Sequence, residues 1–168
     1  MLSEARIRSR VREIGQQITQ DYRGKDLVVV CVLKGSFIFF ADLIRAIDLP
    51  ISCEFMGLSS YGSGVVSSGE VKITLDLTEP VQGKHVLVVE DIVDSGLTMQ
   101  YLLAAISQRR PASVRTVSLL MKPDSVRTEV EVDYVGFKIG NEFVIGYGLD
   151  YAGRFRQLPF IGVLENGG

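Results

Sequence analysis

A chain of 168 residues, 46% of them apolar, is long enough to bury one sizeable core and is expected to form one domain, residues 1–168. No apolar run reaches the roughly 18 residues of a membrane span, and the opening MLSEARIRSRVREIGQQ lacks the apolar stretch of a signal peptide, so a soluble cytoplasmic protein is expected. A formal net charge of −2 argues against non-specific nucleic-acid binding, and leaves any phosphate recognition to a specific site, with a metal as the natural helper.

The elements alternate along the chain. Ile7, Val11, Ile14 and Ile18 recur at helical spacing between Ser3, an N-cap, and Gly24, a stop. Arg6, Arg8, Arg10 and Arg12 are scattered around that helix as a solvated face. LVVVCVL (27–33) is a continuous apolar run suited to a strand buried on both faces of a parallel sheet. Lys34-Gly35 follows, then a helix-compatible stretch from Ser36 to Ile47. Ile51, Cys53 and Phe55 alternate with Ser52 and Glu54 as a second strand, and Val71, Ile73, Leu75 and Leu77 form a further alternating one. Cys31 and Cys53 have no metal-ligand spacing and read as buried free thiols in apolar segments.

Between those last two strands lies GLSSYGSGVVSSGE (57–70), a Gly/Ser-rich stretch with one aromatic, Tyr61, placed as a mobile hairpin or lid. HVLVVED (85–91) is the most strongly buried-looking strand, with the lone His85 at its start in a structural role. A helix from Leu97 to Arg109, a strand from Val114 to Met121, and short strands and turns close the chain. Repeated strand–helix alternation predicts a mainly parallel, doubly wound sheet, whose ligands bind beyond the C-terminal strand ends at the switch point.

VVEDIVDSGLTMQYL (88–102) carries the chemistry. Asp94, Ser95, Gly96, Leu97 and Thr98 offer successive backbone N–H groups, small hydroxyls and a glycine just before a helix, an arrangement that favours a phosphate monoester. The segment is neither a Walker A sequence nor a GxGxxG, which weakens nucleoside-triphosphate and NAD readings. Glu90 and Asp91 lie too early to serve only as helix caps. Carboxylates there suit hydroxyl groups or a water-bridged Mg²⁺, so a ribose phosphate fits the whole stretch.

VVEDIVDSGLT resembles the phosphoribosyl pyrophosphate (PRPP) signature of the phosphoribosyltransferase family, and its Glu-Asp start resembles the hypoxanthine-guanine branch. VLKGSFIFFADL is similar to that family's pyrophosphate loop, SSYGSG to its lid, LLMKP to its purine-side lysine segment, and VGFKIGNEFVIGYGLDYAGRFRQLPFIGVL to its purine-binding and C-terminal block. The resemblance implies a type I phosphoribosyltransferase fold: a mainly parallel sheet flanked by helices, with a small hood and a mobile lid hairpin. It implies transfer of the phosphoribosyl group from PRPP to hypoxanthine or guanine, with Mg²⁺ as cofactor and a homodimer or homotetramer as the assembly.

Roles follow from the same resemblance. Glu90 and Asp91 take the ribose hydroxyls, directly or through Mg²⁺, with Asp150 at a second magnesium position beside the purine. Asp94 to Thr98 cradle the 5′-phosphate, and Asp94 faces purine N7 as general base or proton shuttle. Lys34, Gly35 and Arg156 bind pyrophosphate, in a loop where the family often has a cis non-proline peptide, and Ser60 and Tyr61 belong to the lid. Phe143 stacks on the base, the backbone of Val144 reads it, and Lys122, with Lys138 as the alternative, donates to the 6-oxo group. Leu97 departs from relatives with a polar or basic residue at that point. Two other readings stay open: an RNA-binding regulator of the same fold, whose basic face would fall to Arg109, Arg110 and Arg115, and a related transferase acting on another base such as xanthine.

Overall fold

In the computed structural model, residues 1–60 and 71–165 are described. The chain runs α1 (Glu4–Asp21), β1 (Leu27–Leu33), α2 (Phe37–Arg45), β2 (Ser52–Ser60), β3 (Val71–Leu75), β4 (His85–Val93), α3 (Leu97–Ser107), β5 (Ser113–Met121), a 3₁₀ turn (Pro123–Ser125), β6 (Tyr134–Lys138), β7 (Val144–Ile145) and β8 (Gly162–Val163). Ser3 caps α1, its hydroxyl accepting from the Arg6 amide at 3.2 Å, and Gly24 takes φ +73° just past the helix end. Six strands form one sheet in the order β3-β2-β1-β4-β5-β6, parallel except for the antiparallel β2–β3 pair. The chain moves outward from β1 to β2 and β3, then crosses back to β4 and on to β5 and β6. The switch point is therefore between β1 and β4.

The alternation of side chains in β1 and β4 divides the core into two layers. Leu27, Val29, Cys31, Leu87 and Val89 pack with α1 and α2 on one face. Val28, Val30, Val32, Val86 and Val88 pack with Met99, Leu102 and Ile106 of α3 on the other. Continuous apolar strands are the sequence consequence of being covered twice. The edge strand β6 is protected by α1: the Arg10 guanidinium donates to the carbonyls of Val135 (2.7 Å) and Gly136 (3.0 Å). A two-stranded antiparallel hood, β7 with β8, stands apart from the main sheet, and an isolated bridge from Leu2 to Ile161 ties it to the N-terminus. Among the described residues no helix is long and apolar enough to cross a membrane.

One expected feature is corrected in β2. Cys31 is buried, but Cys53 and Phe55 are exposed, and the side chains that β2 buries are Glu54 and Met56. Phe55 packs edge-on against Phe40 of α2 at 5.4 Å, and the rest of its ring is open to solvent. Glu54 can be buried because it is fully engaged: it accepts from the Thr78 hydroxyl (2.9 Å), the Thr78 amide (3.2 Å) and the Glu79 amide (3.1 Å). Burial pushes this carboxyl up, but the bonds from Thr78, Glu79 and Phe55 outweigh it and hold Glu54 below the usual carboxylate range.

A folded-state value below the unfolded one means that the stabilisation is present above the unfolded carboxyl range, about pH 4.3, and is lost as pH falls through the folded value. Glu54→Ala should lower unfolding free energy by roughly 2 kcal/mol at neutral pH, the scale of a hydrogen-bonded charge. Urea unfolding of both proteins at pH 7 and pH 3.5 checks this. A gap that fails to narrow in acid would show that the ionised carboxylate is not the stabilising form.

Candidate active site

The cleft at the C-terminal ends of β1 and β4 has a volume of about 410 Å³ and gathers Lys34, Gly35, Glu90, Asp91, Asp94, Ser95, Gly96, Thr98, Asp150 and Arg156. Strand geometry separates the two leading acids. Glu90 continues the even-numbered series that faces α3, whereas Asp91 falls on the α2 side. There it meets Gly35 so closely that a Cβ built on that glycine would lie 1.8 Å from Asp91 Oδ2. The peptide bond between Leu33 and Lys34 is cis, one residue before the Lys34-Gly35 pair.

Glu90 is buried, with Oε1 lacking any hydrogen-bond partner among the described residues. Burial, then the neighbouring Asp91 charge, pushes its carboxyl well above the usual range. Asp91 is raised by burial too, opposed by the bond it accepts from the Ile92 amide at 2.7 Å and by its contact with Glu90. Adjacent hard oxygens, one of them orphaned, fit a Mg²⁺ ion that retains waters and shares its coordination with a phosphorylated substrate. Asp150 lines the same cleft but is turned toward Arg156, 3.2 Å away, and accepts from the Gly153 amide at 2.9 Å. Among the described residues, no three side chains of the His, Cys, Asp and Glu types form a ready-made metal cage.

The loop after β4 has the geometry of an anion site. Gly96 precedes α3 with φ +86°, and a Cβ there would lie 2.3 Å from the Thr128 hydroxyl oxygen. Ser95 Oγ accepts from the Leu97 amide at 3.3 Å, and the first turn of α3 leaves further N–H groups without intrahelical partners. Leu97 itself is exposed. The loop is gripped from the side by the segment after β5. Lys122 N–H donates to the Val93 carbonyl at 2.9 Å, Arg127 N–H donates to the Ser95 carbonyl at 2.9 Å, and Lys122 Nζ lies 3.6 Å from Asp94 Oδ2.

That last contact separates the two candidate lysines. Lys122 is nearly buried and beside Asp94, while Lys138 ends β6 exposed to solvent. Val144 is buried in β7, and Phe143 stands exposed beside it, edge-on to Tyr151 at 5.8 Å. Arg156 donates to the Gly148 carbonyl at 2.6 Å. Ser60 ends β2 opposite Val71; Tyr61 and the rest of the predicted lid, 61–70, lie outside the described residues. Leu58 and Ser59, the start of the predicted lid stretch, also line the cleft from the part of β2 that pairs with β3. Of the three arginines considered as an RNA face, Arg109 is paired with Asp76 at 2.7 Å, and Arg115 donates to the Tyr134 hydroxyl at 3.5 Å.

A doubly wound parallel sheet with buried carboxylates and an amide-lined helix entry at its switch point is the architecture of an α/β protein that binds a sugar phosphate. The profile of the phosphoribosyl transferase domain matches residues 2–152. The chain is 49% identical over 169 residues to a hypoxanthine-guanine phosphoribosyltransferase of Dictyostelium discoideum, covering 98% of this chain and 94% of that one. A crystal structure of a Staphylococcus aureus hypoxanthine phosphoribosyltransferase superposes with a TM-score of 0.94 at 45% identity, covering 98% of this chain and 90% of that one. The chain is also 50% identical to a bifunctional TilS/HprT protein of Listeria monocytogenes, of whose length it spans 26%. The chain belongs to the phosphoribosyltransferase family, on its hypoxanthine-guanine branch.

Proposed function

We propose that this chain catalyses purine salvage: it transfers the 5-phosphoribosyl group from PRPP to hypoxanthine or guanine, giving IMP or GMP and pyrophosphate. The observation that carries the reading is the pairing of Lys122 with Asp94 at the edge of the phosphate loop. A 6-oxopurine offers an acceptor at O6 and a proton at N7 on one edge, and a cation beside a carboxylate is complementary to that pair. Adenine presents a donor where Lys122 donates, so the same pair disfavours it.

Breaking the bond from C1 to pyrophosphate places positive charge on the sugar and negative charge on the leaving group, while purine N9 bonds to C1. Amides and hydroxyls of Ser95 to Thr98 hold the 5′-phosphate, and Glu90 and Asp91 orient the ribose hydroxyls. Asp94 holds the N7 proton as N9 becomes the nucleophile. Lys34, the Gly35 backbone and Arg156 take the pyrophosphate, where preorganised positive charge lowers the barrier most. Phe143 stacks on the base and Val144 reads it through the backbone. Mg²⁺, held by Glu90 and Asp91 with Asp150 at a second position, supplies countercharge to the departing pyrophosphate when bound. Ser60 and Tyr61 close over PRPP and exclude water. Residues 1–168 act as one catalytic domain, in the cytoplasm, assembled as a dimer or tetramer.

The test is direct. The protein, PRPP and Mg²⁺ are incubated with hypoxanthine, guanine, xanthine or adenine, and nucleotide formation is followed by absorbance. Turnover with hypoxanthine or guanine is expected. Its absence, or faster turnover of adenine, would remove the reading.

A further inference from the structure

The pyrophosphate corner of the cleft is assembled from two parts of the chain that share no strand. Lys34 and Gly35 lead into α2, while Asp150 and Arg156 belong to the hood segment between β7 and β8. Their spacing must be set by something outside the cleft. Tyr147 is buried, with φ +50°, between Gly146 and Gly148, which also have positive φ. Its amide donates to the Leu158 carbonyl at 2.8 Å, and the Gly148 amide donates to the Arg156 carbonyl at 2.9 Å, so its backbone is fixed to the turn segment that carries Arg156. Its hydroxyl reaches across and donates to Asp42 Oδ2, on the exposed side of α2. Asp42 is oriented by Arg45, whose guanidinium lies 2.5 Å from Oδ1. Burial, then the bond to Asp42, raises the Tyr147 hydroxyl, so it stays a proton donor throughout the working pH range.

This hydrogen bond lies on the wall of a second cleft, away from PRPP, where neither residue can touch the substrate. On the cleft side the two parts meet backbone to backbone: a Cβ on Gly148 would lie 2.2 Å from the Gly35 carbonyl oxygen. That contact resists compression and does nothing to prevent separation. Apolar packing of Tyr147 and Leu149 in the core shared with Phe39, Phe40 and Leu43 of α2 opposes separation without direction, and the hydroxyl–carboxylate bond adds the directional tie.

We infer that Tyr147 and Asp42 are a positioning pair for the proposed pyrophosphate site: their hydrogen bond holds α2 against the hood and thereby sets the distance between the Lys34-Gly35 loop and Arg156. The inference rests on the pyrophosphate role given to those residues in the proposed function. Losing the bond frees the loop to drift from Arg156, so ligands that bridge the two weaken and ligands that do not bridge them are spared.

The experiment compares Tyr147→Phe, Asp42→Leu and Asp42→Asn with the unaltered protein, measuring KM for PRPP, kcat, the affinity for IMP and the melting temperature. Tyr147→Phe and Asp42→Leu should each raise KM for PRPP about tenfold, with IMP affinity little changed. Asp42→Asn keeps an acceptor for the Tyr147 hydroxyl and should restore KM, since the exposed Arg45 pair that it sacrifices is worth little. A lowered melting temperature with unchanged KM for PRPP, an equal loss of PRPP and IMP affinity, or no rescue by asparagine would each overturn the inference. If the unaltered protein failed to turn over PRPP with a 6-oxopurine, the functional reading itself would fall, and the two failures are told apart by that control.

Discussion

Asp94→Asn should lower kcat by roughly 10²–10⁴-fold, the usual worth of a positioned proton-transfer group, while leaving PRPP affinity nearly unchanged. The two effects separate because of how the loop divides its work. In the proposed reading, phosphate is held by main-chain N–H groups and by the hydroxyls of Ser95 and Thr98, and the substitution touches none of these. Gly96 retains its left-handed conformation, and the bonds from Lys122 N–H to Val93 and from Arg127 N–H to Ser95 are also main-chain. What changes is the side chain 3.6 Å from Lys122 Nζ. Asparagine is close to isosteric with aspartate but cannot hold a proton at neutral pH, and its amide leaves Lys122 without a counter-charge. Steady-state kinetics with saturating hypoxanthine, alongside PRPP binding by calorimetry, decides the matter. An unchanged rate would assign the proton transfer elsewhere, and a large loss of PRPP binding would mean that the carboxylate is part of the phosphate cradle.

The parts of this architecture visible in the sequence are those written contiguously. Residues 27–33 and 86–89 are apolar without interruption because both sheet faces are covered, and strand, acids, glycine and helix follow each other within 88–102, so the centre of the site lies on one stretch of chain. The phase of β2 was not visible. Ile51, Cys53 and Phe55 look like its inner face, yet Glu54 is buried by donors from Thr78 and Glu79, 24 and 25 residues further on. A charged side chain satisfied by distant backbone leaves no local pattern. The same holds for Tyr147 and Asp42, which are 105 residues apart, and for the hood, where two-residue strands pair across a long connection. Lys122 is marked by resemblance alone. Its spacing to Asp94 has no periodicity to betray it, because β5 returns alongside β4 only after α3 has been crossed.

Gly35→Ala should strike the carboxylate corner of this site. An alanine Cβ there would lie 1.8 Å from Asp91 Oδ2 and 2.8 Å from its Cγ, separations that no pair of non-bonded heavy atoms sustains. Either the carboxylate or the loop must yield. If Asp91 turns away, it gives up the bond from the Ile92 amide and its contact with Glu90, the oxygen pair suited to Mg²⁺. If the loop retreats, Lys34 leaves its proposed pyrophosphate position and the Gly35 carbonyl moves against the hood at Gly148, where a Cβ would already lie 2.2 Å from it. Both escapes damage the same half of the substrate. PRPP affinity should therefore fall by about 10²-fold, the cost of displacing positioned groups by an ångström or so, and the Mg²⁺ concentration giving half-maximal rate should rise. IMP, which lacks pyrophosphate and in the proposed reading rests on the loop from Ser95 to Thr98, should lose much less. Mg²⁺ titrations of the rate, with PRPP and IMP binding measured on the same preparation, read all three. Wild-type PRPP affinity and Mg²⁺ dependence in the alanine variant would mean that Asp91 does not face the loop when substrate is bound, and the close approach of Gly35 would then serve packing alone.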